Sequence, residues 1–438
     1  MLRELAQRAG DAVEMARAAG AGDAWASASR STGTEVQVRD GEVEKIQRST
    51  SRGLSVRLYV DGRYATYRTS DLRPEVMRGF IRDAVAMTRA LERDPHRVIP
   101  DPRLFEGRST ADLELVDPTI LRVAPDTRVG WCMEMSERCR RHERLVSATV
   151  GANDGHSMVA SASSNGFSGH HERTSHWRGG NVTLREEGDA RPAGSWWTGA
   201  RHLEDVPAAA EVGDEALRQA VRRLGAQQGP TGRRTMVVEP RAAGRLIGLL
   251  LGPAHARSFS QERSFWRGRV GEAVLGERLR ITDEPLLVRG LGSRYYDGEG
   301  IAARPRTLVA DGALQTLFVD TYYGRKTGME PTTGGSSNLV VAPGERGRAA
   351  ITADVDDGIL VTSWLGGNSD STTGDFSLGL RGHRIEGGRV GAAVQEMNVT
   401  GNLLELFAGL AEVGDDPWPY SSRRVPTLAF EGVQFSGA

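Results

Sequence analysis

The string His171-Glu172-Arg173-Thr174-Ser175-His176 contains the residue types of a zinc hydrolase site, two imidazoles for a metal and a carboxylate for general-base work. Its spacing argues against that chemistry. Zinc requires imidazoles that converge on one point, with Zn–N near about 2 Å. The surrounding stretch, SSNGFSGHHERTSHW, follows an Asn-Gly turn and shows no 3.6-residue period, so it reads as a strand. On a strand, residues five apart point to opposite faces. His170 and His176 share a face, but lie about 20 Å apart at the strand rise. Even an ideal helix would leave His171 and His176 about 140° apart. We read the segment as a surface strand, with a self-sufficient metal hydrolase built on His171, Glu172 and His176 as the alternative.

A second set lies further on. Asp297-Gly298-Glu299-Gly300 puts two carboxylates two residues apart, a pattern open to acid–base work. The simpler reading, which we prefer, is a tight turn with Gly298 or Gly300 at positive φ. His255 stands just past Pro253 as a helix-end or loop histidine; with Glu262 it offers two ligands, too few to hold zinc. His383 precedes a Glu386-Gly387-Gly388 hairpin and is expected to be exposed. No G-x-S-x-G elbow or phosphate-binding GK[ST] occurs, and Gly290-Leu291-Gly292 lacks the strand–helix setting of a dinucleotide fingerprint.

The elements that must position these groups alternate between helix and strand periods. Residues 2–20 read as a helix, closed by Gly20 and Gly22. An antiparallel meander follows, with Asp40-Gly41 and Asp61-Gly62 as hairpin turns, and then a helix from Pro74 to Leu91. Residues 94–118 hold four prolines and read as a surface linker. A helix over Asp126–Arg141 precedes strands at Leu145–Val150, Ser157–Ser161, Gly166–Trp177, Asn181–Arg185 and Ser195–Thr198, and a helix over Val206–Leu224. Then Met236-Val237-Val238 leads into Pro240 and a nearly continuous apolar helix, Ala242 to Leu251, ended by Pro253. That helix carries no His, Glu, Asp or Cys and supplies packing alone. Short strands with glycine turns fill the remainder, apart from a helix expected around Leu403–Val413. The expected class is α+β. The expected divisions are 1–93, a linker at 94–118, a second α/β unit at 119–225 and a β-rich unit with a buried helix at 226–438.

A chain of 438 residues can bury several cores. The formal net charge of −1 argues against a protein that coats nucleic acid. Only Lys45 and Lys326 among the 56 basic residues are lysines, and the arginines are scattered. Cys132 and Cys139 lie seven apart in one helix, about 10 Å along its axis, too far for an unstrained disulfide. With no apolar run of signal or membrane-span length, a reduced cytoplasmic setting is expected.

The segment VRDGEVEKIQRSTSRGLSVRLYVDGRYATYRTSDL resembles the N-terminal signature of the TldD/PmbA family, often labelled "modulator of DNA gyrase". The C-terminal half resembles it as well, through VVEPRAAGRLIGLLL, GLGSRYYDGEGIAARPRTLVADGALQTLFVDTYYGRKTG, GGSSNLVVAPGE and TTGDFSLGLRGHRIEGGRV in family order. The resemblance implies a heterodimeric zinc metalloprotease acting on peptides and unfolded segments. In it the TldD-type subunit carries HExxxH on the first helix of the C-terminal domain and a later metal-completing cysteine, which the PmbA-type subunit (TldE) lacks. Here the corresponding helix positions are Gly248-Leu249-Leu250-Leu251-Gly252-Pro253, and no cysteine follows Cys139. The resemblance therefore implies a metal-free subunit, with zinc and a TldD-type partner expected outside this chain. Asp297, Glu299 and His255 are its candidates for lining a peptide cavity. A non-enzymatic regulatory protein is a further alternative.

Overall fold

The computed structural model describes residues 1–437, without the side chain of Leu121. Helix α1 (Leu2–Ala18) leads into three antiparallel strands, β1 (Asp23–Arg39), β2 (Glu42–Val60) and β3 (Arg63–Thr69), followed by α2 (Pro74–Thr88). After α3 (Pro125–Cys139) come β4 (Leu145–Ser163), β5 (Ser168–Leu184), β6 (Ala193–Ala200) and α4 (Ala209–Val221). These six strands form one sheet, in the order β3-β2-β1-β4-β5-β6. The stretches 1–93 and 119–225 thus share a backbone ladder, with β1 and β4 paired from Trp25↔Ser163 to Arg39↔Thr149.

Strand periodicity places all four helices on one face of this sheet. Ala24, Ala26 and Ala28 pack in one buried cluster with Leu5, Ala9 and Val13 of α1 and with Met77 and Ile81 of α2. Val36 and Val38, at the same parity of β1, join Cys132 and Met135 of α3 and Val212 and Ala216 of α4. The opposite face carries Ser27, which bonds Ser161 at 2.8 Å, and Ser31 near Ser157.

Three expectations are corrected here. Leu145–Val150 and Ser157–Ser161 are not two strands but parts of the single β4, held by β1 and β5, and Gly166–Trp177 and Asn181–Arg185 are likewise merged in the single β5. Residues 94–118 do not run wholly over the surface. Leu113, Leu115 and Asp117 are buried, and the Ala302 and Arg289 N–H groups donate to the Leu104 and Leu113 carbonyls at 2.8 Å each, which stitches the segment to the C-terminal part. The third concerns the last helix, described below.

Past 225, β7 (Gln227–Gln228) and β8 (Gly232–Val238) precede α5 (Pro240–Leu251) and α6 (Ala256–Ser260). A five-stranded sheet follows, in the order β11-β10-β9-β12-β18. It is built from β9 (Ile281–Asp283), β10 (Arg306–Ala310), β11 (Ala313–Leu314), β12 (Leu339–Val341) and β18 (Arg423–Arg424), with α7 (Thr321–Thr327) between β11 and β12. After α8 (Arg348–Ala353) come β13 (Asp357–Trp364), β14 (Asn368–Ser369), β15 (Asp375–Glu386), β16 (Arg389–Asn402), α9 (Leu403–Ala408), β17 (Leu410–Val413) and β19 (Leu428–Ser436). The path β15-β13-β8-β19-β16 closes on itself through β15–β16 pairing, so these strands make a barrel-like sheet. Met236, Val238, Leu378, Val399 and Phe435 on one face meet Leu246, Ile247 and Leu250 of α5. Val237 faces the other way, toward Ile351 and Val355 at α8. The helix expected over Leu403–Val413 stops at Ala408, because Leu410–Val413 pairs with β19 instead.

Candidate functional site

Helix α5 begins with Pro240 at N1, where a missing N–H is harmless, and buries Ala242, Ala243, Leu246, Ile247, Leu250 and Leu251. At the positions where the resembled family places metal ligands, the chain offers no donor side chain. A Cβ on Gly248 would lie 2.8 Å from a terminal guanidinium nitrogen of Arg423, so a cation occupies the space beside that turn. Gly252 and Pro253 finish the helix, and Trp266 donates its indole N–H to the Leu250 carbonyl at 2.9 Å. His255, at the N-cap of α6, stacks on Phe318 with ring centroids 4.7 Å apart. Burial pushes its pKa below the ordinary histidine range, against the pull of Asp320. Among the described residues no three of His, Cys, Asp and Glu converge as a metal would require. The residues present at α5 do not fit zinc.

His255 meets Phe318 and Glu299 meets Thr321, while Asp297 lies at the base of the same turn as Glu299. Asp297 is buried and fully engaged. One oxygen accepts from the Glu299 and Ile301 N–H groups at 2.9 and 3.1 Å; the other accepts from the Thr333 hydroxyl and the Gly334 N–H at 3.1 and 2.9 Å. With Gly300 at φ +81°, this carboxylate is the pin of a tight turn. Glu299 differs: one oxygen accepts from the Thr321 N–H at 2.8 Å, and burial raises its pKa, with Asp297 and Asp320 adding to the rise. Burial thus favours the protonated form of Glu299. Sequence reasoning leaves Asp320 unremarked. The available signal was a helix cap: its side chain accepts from the Tyr323 N–H at 2.7 Å at the start of α7.

The His171–His176 string lies within β5. Its reading as a surface strand is corrected at His176, which is 1% exposed. His176 Nδ1 lies 2.7 Å from Asp154 Oδ1, and its Nε2 lies 3.1 Å from Asp117 Oδ2 without hydrogen-bond alignment. Asp154 also accepts from Arg128 Nε at 2.5 Å, which ties α3 to β4. Glu172 pairs with His156 at 2.5 Å. His171, at the opposite parity, turns to Tyr296, 6.2 Å away between ring centroids. Burial, then Arg173 and His170, lower its pKa to about 4. Three groups that a motif scan would join are thus committed to different neighbours. His383 is likewise not exposed: it is 7% exposed between β13 and β16.

Fold and site together define a chain of metallopeptidase architecture whose helix α5 bears no metal donors. Matches to the PmbA/TldA metallopeptidase domain 1 (residues 26–88), central domain (118–224) and C-terminal domain (231–437) span most of the chain. A Bacteroides thetaiotaomicron protein, described with its crystal structure as a candidate modulator of DNA gyrase, is 36% identical, covering 99% of this chain and 98% of that one at a TM-score of 0.96. Metalloprotease PmbA of Escherichia coli O157:H7 is 26% identical over 89% of this chain and 86% of its own. TldE from Thermococcus kodakarensis shares the fold, with a TM-score of 0.85 at 20% identity over 98% of this chain and 100% of that one. The chain belongs to the PmbA/TldD metallopeptidase family.

Proposed function

We propose that this chain is the metal-free, TldE-like subunit of a heterodimeric metalloprotease. It shapes a peptide-binding cavity while a TldD-type partner supplies zinc and the hydrolytic step. The observation that carries this reading is the donor chemistry at the end of α5: Gly248 and Pro253 stand where the imidazoles would be and Leu249 where the carboxylate would be, and no cysteine follows Cys139. Zinc binding by residue identity is thereby denied to the helix that bears it in the resembled metal subunit. Extended peptides paired to a sheet edge would be held by main-chain hydrogen bonds with little regard to sequence, which suits unfolded substrates. We assign Glu299, Asp297 and His255 to the cavity wall, with Asp297 fixing the turn that carries Glu299. Balanced charge fits a peptide ligand better than nucleic acid, and among the described residues no helix is long and apolar enough to cross a membrane. The setting we propose is the cytoplasm.

Co-expression with an HExxxH-bearing homologue from the same genome tests this. The two chains should co-elute in equal amounts, and unfolded casein should be cleaved only when both are present, with zinc following the partner. A zinc ion retained by this chain alone, together with cleavage lost on His171→Ala, would overturn the proposal in favour of a self-sufficient hydrolase.

A further inference from the structure

A cavity of about 710 Å³ opens between α4 and β6 on one side and the start of α5 with α8 on the other. It lies at the end of α5 away from Gly248 and Pro253, and nothing in the proposed function uses it. Its volume is in the range of small-molecule sites. Four arginines line it, Arg218, Arg222, Arg241 and Arg348, together with Trp196 and Trp418.

The carboxylates present leave cationic capacity unspent. Glu239, 5% exposed, receives both Arg222 and Arg348 on a single oxygen, at 2.8 Å each. A guanidinium has five N–H donors, so each keeps several free. Glu215 is taken by Arg218. Asp416 is held by the Thr427 N–H and hydroxyl, both at 2.9 Å. Arg241 forms no ion pair among the described residues, Glu239 and Glu215 acting on it only at a distance: it donates to the Ser195 carbonyl at 3.1 Å and lies over the rings of Trp196 and Trp418, 4.4 and 5.7 Å from their centroids. Behind it Arg223 donates, among the described residues, to the Ala193 carbonyl and the Ser363 hydroxyl. Burial, then Arg381, Arg241 and Arg222, lower the Arg223 pKa to about 10. Like charges are crowded into a partly buried seam, an arrangement that is costly unless an anion joins it. An independent pointer lies on the same wall: Thr352 is 4% exposed and its hydroxyl has no partner among the described residues.

We propose that this cavity binds a small organic oxyanion, a phosphate ester or a polycarboxylate, with Arg241 and Arg348 gripping its oxygens and the two tryptophans meeting its less polar part. Planar guanidinium forks match the paired oxygens of both anions. Titration calorimetry of the full chain with pyrophosphate, ADP and citrate at low salt tests it. At least one probe should saturate one site per chain. Its Kd should weaken at least tenfold in Arg241→Gln, and likewise in Arg348→Gln, which serves should the first variant not fold. Arg82→Gln, exposed on α2, should leave the Kd unchanged. Saturation by pyrophosphate or ADP alone assigns a phosphate, and by citrate alone a carboxylate. The absence of saturable heat from all three probes, or a Kd within twofold of wild type in the arginine variants, overturns the proposal. Neither result bears on whether a TldD-type chain is the partner.

Discussion

At the scale of single residues, the histidines of the 171–176 string and their partners are engaged in holding the fold, and the ionisation of two of these groups shows how. Asp117 is buried, and burial alone would raise its pKa. The Thr119 hydroxyl at 2.6 Å, N–H donors from Leu203 and Thr119, and the neighbouring His176 outweigh that and bring it to about 2. A carboxylate with a depressed native pKa contributes stability that is present above its unfolded value near 3.8 and is lost as pH falls toward 2, an effect of about 2 kcal/mol here. His171 acts in a higher window. Its native pKa of about 4, against 6.5 unfolded, means the unfolded chain binds the proton first, so stability is lost as pH falls from 6.5 to 4. Urea unfolding between pH 7 and 3 should therefore show declining stability in two stages, with His171→Asn reducing the first, which His255 and His383, also lowered by burial, share. Flat stability from pH 7 to 4 in the wild type would contradict this account of His171. The sequence displayed the string His171–His176 but none of its partners, because Asp117, Asp154 and Arg128 arrive from a linker, a different strand and a helix.

At the scale of elements, what is periodic was legible and what is paired was not. The apolar run of α5 and the alternation of β1 and β2 follow from side-chain pattern alone. The end of α9 does not: Leu410 and Val413 fit a helical spacing, but hydrogen bonds to β19 claim them. Close approaches between elements are equally invisible in a pattern, and two glycines make opposite predictions. A Cβ at Gly194 of β6 would fall 2.1 Å from the Ala220 nitrogen and 2.3 Å from the Gln219 carbonyl carbon, both backbone atoms of α4. Backbone cannot swing aside, so Gly194→Ala should displace α4 and cost about 1–3 kcal/mol. At Gly248 the nearest atom is the mobile end of Arg423, 2.8 Å away. There alanine replaces glycine inside a helix, worth about 0.5–1 kcal/mol in its favour, so Gly248→Ala should be neutral or stabilising. Thermal denaturation of the two variants reads both; a loss at Gly248 as large as at Gly194 would mean that α5 is more tightly packed on that side than its neighbours indicate.

At the scale of the whole molecule, the N-terminal sheet and the barrel-like C-terminal part are joined by polar stitching as well as by chain connectivity. Composition and motif order in the sequence pointed to an α+β family architecture, but not to the shared six-stranded sheet, since the β1–β4 ladder joins residues more than a hundred positions apart. Trp25 of β1 stacks on Phe167, which meets Tyr296 edge-on at 5.0 Å, so an aromatic cluster crosses the seam. Arg201, beyond the end of β6, is 5% exposed and has no carboxylate partner among the described residues. It donates to the Thr174 carbonyl at 2.9 Å on its own side, and to the Gly290 and Leu291 carbonyls on the other. Burial, then the charge of Arg173, lower its pKa to about 10, so it remains a cation at neutral pH. Three carbonyls accept from this guanidinium; that of Gly290 keeps the Ser293 N–H at 3.1 Å, so the loss falls on Thr174 and Leu291, and a buried acceptor left without a donor costs about 1–3 kcal/mol. Methionine at 201 keeps a long side chain in place but removes every donor. Arg201→Met should therefore loosen the seam more than either part, separating a single calorimetric transition into two, with the sheet and the barrel-like part melting apart. If the variant melts in one sharp transition merely shifted downward, the aromatic cluster and the 94–118 segment carry the coupling, and the guanidinium is only one tie among several.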